Sequence, residues 1–560
     1  MSRADPLAAV STRVTAQRRR ARADQVRNNA GGYVFAVDDL TRLRRFLTLG
    51  VEAGTYYVTE RALTRDNAGI VLRLAATDPK LVVDEIVAIS EAGRAPKQNP
   101  ALFALAVVAG TADDAGRAYA LAHLSRVART GTHLALFAGY VQQFRGWGRA
   151  LRRAVGDWYL DLTPEAMAYQ VLKYRQREGW THRDLLRKAH PVTTDPAQAR
   201  LFDYVTHRAR DTAAGQALDV DGLPDLVAAF DEAQSAGLPR LVELIGTQPL
   251  SWEMLPTAAL ESPAIWEALL DQGLPITALI RQLPRLTRLG VLSDSGTGSR
   301  AGAVAERLAD SVTLAKGRVH PISMLVALRT YASGQSARGS SQWTPLPRIV
   351  DALDAGFYAA FAAVEPTGRR TLLALDVSGS MTAPISSLPL TAREASAALA
   401  LVTARTEPDY EILGFTTTGR SVWRPTATAA YGTWASAVSR LAISPRQRLD
   451  DVLKRLWDLP FAGTDCALPM LWALKQKVAI DTFVVYTDNE TWAGRIHPFE
   501  ALRRYRERTG IPAKLVVVGM TSTGFSIADP SDAGMLDVAG FDQAVPTVIA
   551  DFSKAEVPRA

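Results

Sequence analysis

The hydrophobic pattern of the chain changes once, at residues 365–368, and the change separates two regions of different fold class. Before it, from about residue 33 to residue 363, apolar residues recur at the three- and four-residue spacing of helices. After it, short aliphatic and β-branched runs alternate with helical stretches. The sequence therefore predicts an all-α region over residues 28–365, followed by an α/β domain over residues 366–560.

The first region reads as a series of short helices separated by clear start and stop signals. Asp78-Pro79 is typical of an N-cap followed by the first helical residue, and Gly110-Thr111 and Gly131-Thr132 indicate further breaks. A long run of antiparallel helices predicts an α-solenoid. The irregular spacing of the units favours HEAT-like repeats over a strict array.

The second region has the alternation of a parallel sheet covered by helices on both faces. The apolar run Thr371–Val377 precedes a helical stretch, Leu390–Ala404, and Phe483–Tyr486 is a further buried strand. A D-x-S-x-S sequence begins at Asp376, where the first strand ends. Because open α/β sheets bind ligands outside the carboxyl ends of their strands, we expect a binding site at this edge.

Five residues are candidate ligands of one metal ion at that edge. Asp376, Ser378 and Ser380 belong to the first loop, and Thr464 and Asp488 lie in two later loops. Two carboxylates and three hydroxyls form a hard oxygen shell, which suits Mg²⁺ and also Mn²⁺. A coordination position then remains for water or for an acidic side chain of a protein partner.

A basic segment with interleaved aromatic residues, Lys173–Pro191, lies in the helical region. Its spacing predicts one helix over Pro164–Arg177 that stops at Gly179, and a second that begins after Thr181 as N-cap. Two interpretations stay open. The cluster is either a surface for phosphates and bases, or a solvated charged face with Trp180 and its apolar neighbours in the core.

The basic segment reads K-Y-R-Q-R-E-G-W-T-H-R-D-L-L-R-K-A-H and closely resembles the TROVE module of the Ro ribonucleoprotein family. The resemblance extends over nearly the whole chain and includes Gly31-Gly32-Tyr33 and Leu274–Arg281. The five candidate metal ligands match the metal-ion-dependent adhesion site of von Willebrand factor A domains. The resemblance implies an all-α HEAT-like ring with a positively charged central hole, followed by an α/β Rossmann-like von Willebrand A domain.

The resemblance also implies a function, that of a non-catalytic RNA-binding scaffold in RNA quality control or the stress response. In this family Y RNA, a small non-coding RNA, binds the outer surface of the ring, and single-stranded 3′ ends of misfolded RNA enter the hole. An exoribonuclease partner is implied as well. The residues that correspond to the family's RNA contacts are Lys173, Arg177 and His190. Their neighbours in the same patch are further RNA-binding candidates: Tyr174, Arg175, His182, Arg187 and Lys188.

Composition narrows the class of protein. The single cysteine, Cys466, excludes a disulfide framework and a cysteine-rich zinc site, and it fits an intracellular, cytoplasmic protein. The net charge of +7 weakly favours an anionic partner. No apolar run is long enough to span a membrane, so no membrane partner is expected. The Arg-rich residues 1–27 are expected to form a flexible arm, either simply solvated or in contact with a polyanion.

Two other functions stay open on the sequence. One is a protein-adhesion module that acts through the metal site, and the other is a metal-dependent nuclease. Ser378-Gly379-Ser380 lacks the G-x-S-x-G frame of a nucleophile elbow, and no His-Glu-x-x-His pair occurs. Because no acid, base and nucleophile come together in the sequence, we expect a binding protein and not an enzyme.

Overall fold

The structure is a computed structural model of the 560-residue chain. It describes residues 14–50, 60–213, 221–293, 300–336, 340–361, 365–385, 390–416, 437–449, 451–452, 463–541 and 544–555.

The first region is built of helices, with short strands at its beginning and near its middle. The helices are α1 (Asp39–Leu49), α2 (Glu60–Thr77), α3 (Pro79–Glu91), α4 (Asn99–Thr111), α5 (Asp114–Ala122), α6 (Leu124–Val127), α7 (Gly131–Phe144), α8 (Arg149–Leu160), α9 (Pro164–Lys173), α10 (His182–Ala189), α11 (Pro196–Ala213), α12 (Asp225–Ala233), α13 (Leu238–Thr247), α14 (Pro263–Asp271), α15 (Ile276–Arg288), α16 (Arg300–Ala309), α17 (Ser311–Lys316), α18 (Pro321–Ala332) and α19 (Pro347–Ala359). The strands are β1 (Gln25–Arg27), β2 (Tyr33–Ala36), β3 (Gln176–Arg177) and β4 (Trp180–Thr181).

Local capping explains why several of these helices begin where they do. The side chain of Asp78 accepts a hydrogen bond from the backbone N–H of Leu81, and Pro79 is the first helical residue, so the predicted start is confirmed. Gly131 begins a helix instead of ending one, because Thr130 caps α7. None of the helices in the described ranges is long and apolar enough to cross a membrane.

The helical path returns to its own beginning. The Nε2 atom of His320, at the start of α18, lies 3.2 Å from the carbonyl oxygen of Arg94, just after α3. Between these ends lies a cleft of about 560 Å³, lined by residues 91–93, 311–312, 314–316, 318–320 and 359–361. A contact between residues 226 positions apart closes the predicted HEAT-like series into a ring.

The second region is a sheet with helices on its faces. Its strands are β5 (Thr371–Asp376), β6 (Tyr410–Phe415), β7 (Val438–Arg440), β8 (Thr482–Thr487), β9 (Lys514–Gly519), β10 (Phe525–Ser526) and β11 (Met535–Ala539). Its helices are α20 (Ala392–Thr406), α21 (Leu468–Gln476), α22 (Pro498–Thr509) and α23 (Val545–Lys554). The sheet order is β11-β9-β8-β5-β6-β7.

The strands of this sheet run parallel except β7, which is antiparallel to β6. The sheet is therefore mixed, whereas the alternation of strands and helices in the sequence predicts a parallel sheet. Every residue of β5, β8 and β9 is buried. Burial on both faces explains why these strands read as continuous apolar runs in the sequence.

Residues 14–36, here called the N-terminal strap, pack against the second region. Strand β2 pairs with β1 on one side and with β10 on the other, where Ala36 lies opposite Phe525. A Cβ atom on Gly32 would lie 1.9 Å from the carbonyl oxygen of Thr491, so only glycine fits this close approach. Residues 14–27 are thus held by contacts and do not form the flexible arm expected from the sequence. Residues 1–13 lie outside the described part of the chain.

Ion pairs with a buried partner join the helical region to the second region. The guanidinium of Arg45, on α1, is fully buried and donates to both carboxylate oxygens of Asp537, each at 2.6 Å. Arg329, on α18, pairs with the buried Glu394 of α20 at 2.6 Å. Both ends of the helical region are therefore fastened to the same α/β domain.

Candidate functional site

The first loop of the candidate metal centre follows β5 directly. Asp376, Ser378 and Ser380 are all buried, at 0%, 1% and 3% exposure. The backbone N–H of Ser378 donates to Oδ1 of Asp376 at 2.9 Å, and the hydroxyl oxygens of Ser378 and Ser380 lie 3.1 Å apart. The turn therefore gathers one carboxylate and two hydroxyls at one point, as the D-x-S-x-S spacing predicts.

The second carboxylate comes from the neighbouring strand. Strand β8 pairs with β5 and ends at Thr487, whose hydroxyl donates to Oδ2 of Asp376 at 2.7 Å. Asp488 follows at once and is 3% exposed. The pairing of two parallel strands thus brings together two carboxylates that lie far apart in the sequence.

The third loop contributes Thr464, which is completely buried. Its carbonyl oxygen accepts hydrogen bonds from the backbone N–H groups of Trp492 and Ala493, at 3.1 and 3.0 Å, and these residues follow Asp488 closely. Its hydroxyl oxygen has no hydrogen-bond partner in the described part of the protein. A buried hydroxyl without a partner costs free energy, and this oxygen is free to coordinate an ion.

The electrostatics of the centre favour a cation. Burial raises the pKa of the Asp376 carboxyl. Burial, and then the charges of Asp376 and Glu490, raise the pKa of Asp488 well above its usual range. Two buried carboxylates destabilise each other unless a proton or a metal ion offsets their charge. Across the described residues no three His, Cys, Asp or Glu side chains are grouped to hold a metal, so the hydroxyls would have to complete the shell.

Two groups that the motif does not reveal hold the centre in place. The buried Arg393, on α20, donates to the carbonyl oxygens of Val377 and Ser378 at 2.7 and 3.1 Å, and so fixes the first loop. It lies in the first turn of a helix capped by Thr391 and Glu394. The sequence shows this capping box, but it does not show that the arginine points back toward the loop.

The N-terminal strap holds the loop after Asp488. The side-chain amide of Asn29 and the backbone N–H of Ala30 donate to the two carboxylate oxygens of Glu490, at 2.7 and 2.9 Å. Gln17 donates to Asp465 at 2.8 Å. Burial raises the pKa of Glu490 to about 7 and that of Asp465 to about 6. Both carboxylates already have partners in the strap, which suits a supporting role beside the predicted ligands.

The basic segment has a hairpin where the spacing predicts the end of a helix. Helix α9 ends at Lys173 and not at Arg177, and strands β3 and β4 follow. The turn between them uses Glu178 and Gly179, with φ of 50° and 78°. Two successive positive φ values are typical of a tight hairpin turn. The predicted N-cap of α10 is confirmed, because Thr181 and Asp184 form a complete capping box.

The predicted RNA contacts differ in how far they reach solvent. Four are exposed, namely Arg175, Arg187, Lys188 and His190. Three are half-buried, namely Lys173, Tyr174 and Arg177. The ammonium of Lys173 lies 3.1 Å from the hydroxyl of Tyr169 and 3.9 Å from the carboxylate of Glu253. Lys173 is therefore already partly engaged within the protein.

His182 is a core residue. It is 4% exposed, and its Nδ1 atom lies 2.7 Å from the hydroxyl of Tyr159. Burial, with a smaller contribution from the charge of Arg177, lowers the pKa of His182 to about 4. This position does not suit a surface contact with RNA, so the structure corrects the inclusion of His182 among the candidates. Leu185 and Leu186 are buried as the alternative interpretation expects, while Trp180 is only half-buried.

Comparison with known proteins gives matches along almost the whole chain. The family model of the TROVE domain matches residues 26–220 and 240–330, and that of the Ro60 vWA domain matches residues 370–553. Two similar proteins are each named RNA-binding protein RO60. The one from Deinococcus radiodurans is 41% identical over 537 residues, 95% of this chain and 96% of that protein. The one from Caenorhabditis elegans is 36% identical over 617 residues, 97% of this chain and 92% of that protein.

A solved structure is similar as well. The crystal structure of the Deinococcus radiodurans RO (RSR) protein matches with a TM-score of 0.67 at 38% sequence identity. The match covers 92% of this chain and 99% of that one. Sequence and fold therefore agree on the same relatives over both regions.

Proposed function

The chain belongs to the Ro60 family of proteins with a TROVE domain and a von Willebrand factor A domain, and from this premise we propose that it is a non-catalytic RNA-binding scaffold. In this proposal a Y-like small non-coding RNA binds the outer surface of the ring. Single-stranded 3′ ends of misfolded RNA enter the centre of the ring. The scaffold acts in RNA quality control or the stress response.

The observation that carries the proposal is a group of exposed or half-buried cations without acidic partners. Arg177, Arg187 and Lys188 form no ion pair with an Asp or Glu among the residues that the structure describes, and neither does Arg175. Elsewhere on the surface, arginines such as Arg126 and Arg240 are paired with glutamates at 2.7 and 2.6 Å. Unpaired cations on one surface favour phosphate contacts, because each contact releases counterions from the RNA.

The candidate metal centre supports a second, compatible activity. We propose that Asp376, Ser378, Ser380, Thr464 and Asp488 hold Mg²⁺, or Mn²⁺ in its place. A bound ion would supply a coordination position for an acidic side chain of a protein partner. An exoribonuclease that shortens the bound RNA is the partner class that fits the proposed role.

Crosslinking followed by RNA sequencing tests the RNA site. The triple variant Lys173→Ala, Arg177→Ala, His190→Ala is expected to recover far less RNA than the wild type. The matched control removes three paired surface arginines, Arg126→Ala, Arg240→Ala and Arg288→Ala, and is expected to recover the wild-type set. Equal recovery by the wild type and the first variant would contradict the assignment of the RNA site.

The substitution Asp376→Ala distinguishes a protein-adhesion module from a metal-dependent nuclease. If the metal centre binds a protein, Asp376→Ala loses that partner and keeps its RNA. If the protein is a metal-dependent nuclease, purified wild type degrades RNA in Mg²⁺ and Asp376→Ala does not. We expect intact RNA with the wild type and with the variant, because the two buried carboxylates of the centre would hold the ion and would not be available as a general base.

A further inference from the structure

Two tryptophans that are distant in the sequence lie together beside the basic segment. Trp147, in the connection between α7 and α8, and Trp180, on β4, have ring centroids 5.5 Å apart and planes inclined by 51°. Both rings are half-buried. The indole N–H of Trp147 donates to the side-chain oxygen of Gln142 at 3.0 Å in a solvent-exposed bond. The pair is therefore at the surface, with Trp147 held in one orientation.

A lysine lies over both rings. The ammonium of Lys188, on α10, is 5.4 Å from the ring centroid of Trp147 and 5.9 Å from that of Trp180. These distances are within the range of a cation–π interaction. Lys188 forms no ion pair with a carboxylate in the described ranges, so its charge remains available to an anion beside the aromatic surface.

The chain on both sides of Trp147 is also basic. Residues 145–153 read R-G-W-G-R-A-L-R-R and contain no acidic residue. The four arginines are all exposed, and none forms an ion pair within the described part of the molecule: Arg145, Arg149, Arg152 and Arg153. Gly146 has a φ of 77°, so the chain turns directly before Trp147, which Arg145 and Arg149 flank in the sequence.

We propose that Trp147, Trp180 and Lys188 form a stacking site for an unpaired nucleobase of single-stranded RNA, with adjacent phosphates held by Arg145 and Arg149. The proposal rests on the RNA-binding function proposed above and adds to it a contact with a base. Every base has a π face, so an aromatic surface flanked by cations binds single strands with little sequence preference. A protein segment that bound an aromatic pair flanked by these cations would need to be acidic, and the unpaired base is favoured because it matches both the rings and the charges.

Fluorescence anisotropy with a labelled oligouridylate tests the site in the full-length protein. Trp147→Ala is expected to raise the Kd about tenfold, the order of effect of losing one base–aromatic stack. The slope of log Kd against log salt should stay unchanged, because no charge is lost. Trp147→Phe keeps an aromatic face and should bind within about threefold of the wild type. Tyr119→Ala is the control, because it removes another half-buried ring that has a lysine nearby, Lys80 at 5.7 Å. The Tyr119 hydroxyl donates a hydrogen bond to the carboxylate of Asp84, and this negative charge disfavours RNA, so the variant should bind the oligonucleotide as the wild type does.

An abasic oligonucleotide of equal length separates stacking from other contacts. Trp147→Ala should bind it as the wild type does, since no base is present to stack. A tenfold loss on both oligonucleotides, or none on either, overturns the stacking site. If Trp147→Ala does not fold, the pair Arg145→Gln and Arg149→Gln decides, with an expected fall of about 1.4 in the salt slope for two lost phosphate contacts.

The same experiment distinguishes the two proposals. If Trp147→Ala binds like the wild type while the Lys173, Arg177 and His190 variant is weakened, the stacking site is wrong and RNA binding stands. If the wild type does not bind the oligonucleotide even at low salt, both proposals are wrong.

Discussion

The candidate metal centre and the basic surface are built in opposite ways. The metal centre draws buried residues from three loops, and its donors are fixed by hydrogen bonds to one another, to Arg393 and to Thr487. The basic surface comes mainly from one continuous segment, 173–190, in which Arg175, Arg187 and Lys188 are exposed to solvent. The candidate metal centre is therefore preorganised, whereas the exposed side chains of the basic surface can adapt to what they bind.

The difference determines how each region should respond to change. Buried carboxylates interact in a low-dielectric interior, so a single substitution there has a large effect that salt hardly screens. Exposed cations contribute small, roughly additive amounts that fall as salt rises.

The largest effect is expected for Asp376→Ala. Loss of a buried carboxylate should weaken Mn²⁺ binding by at least about 100-fold, because the remaining shell has a single charged ligand. Titration of the full-length protein by calorimetry measures the affinity. Asp481→Ala removes a carboxylate that precedes β8 at the opposite end of the strand, and it should bind Mn²⁺ normally. Tight binding by Asp376→Ala would show that the ion is held elsewhere.

A second prediction concerns His182, which lies in the basic segment but is buried. If it is a core residue, it should make the stability of the protein depend on pH. Its pKa is about 4 in the folded protein, against 6.5 for the ordinary side chain, so below pH 6.5 the unfolded chain takes up a proton that the folded protein excludes. The contribution of the neutral His182 to the free energy of unfolding should therefore be fully present above pH 6.5. It should fall by about 3 kcal/mol as the pH drops to 4.

Urea unfolding of the wild type and of His182→Gln at pH 7 and pH 4.5 measures that contribution. Burial also lowers the pKa values of His133 and His320 to about 4, and their contributions stay in the variant. The difference between the two pH profiles therefore belongs to His182. Identical profiles, or a loss of RNA affinity in His182→Gln at pH 7 with the fold intact, would place this histidine at the surface.

Arg177→Ala should have a moderate effect on RNA. We expect about a fivefold loss of affinity for single-stranded RNA and a fall of about 0.7 in the salt slope, the value for one phosphate contact. Binding isotherms at four salt concentrations measure both. Arg240→Ala is the control, because that arginine is already paired with Glu232 and Glu243. A lower affinity with an unchanged slope would mean that Arg177 supports the fold of the hairpin instead.

The smallest effect is expected for Thr464→Val. The variant should bind Mn²⁺ about threefold more weakly, while the metal-free protein should be as stable as the wild type or about 1 kcal/mol more stable, because a hydroxyl without a partner is removed. Thr416→Val is the matched control. Its hydroxyl donates to Gly463 at 3.0 Å, so its loss should destabilise the protein. A destabilised Thr464→Val would mean that its hydroxyl has a partner without metal.

The contrast also explains which features could be predicted from the sequence. The D-x-S-x-S motif and the buried strand before it lie within ten residues, so the position of the first loop follows from local chemistry. The HEAT-like helices follow from their spacing and caps. The hairpin cannot be predicted from the sequence, because Glu178-Gly179 also fits the end of a helix, and a helix end and a hairpin turn differ here only in their backbone angles.

Other features depend on contacts that no local pattern contains. The N-terminal strap contacts residues more than 440 positions away, and its Arg-rich composition indicates only a charged segment. The aromatic pair joins residues from separate helical units. His182 stands among cations in the sequence, yet it is buried in the first turn of α10 with its ring against the hydroxyl of Tyr159.

The pairing of β2 with β10 can form only late in the synthesis of the chain. Residues 33–36 leave the ribosome early, whereas their partners Phe525 and Ser526 are made almost at the end of the chain. The helical units can pack on their neighbours as they emerge, but the edge of β2 must stay uncovered through nearly all of translation. A transcript truncated before this point would release a protein with an open strand edge, which chaperones and proteases can recognise.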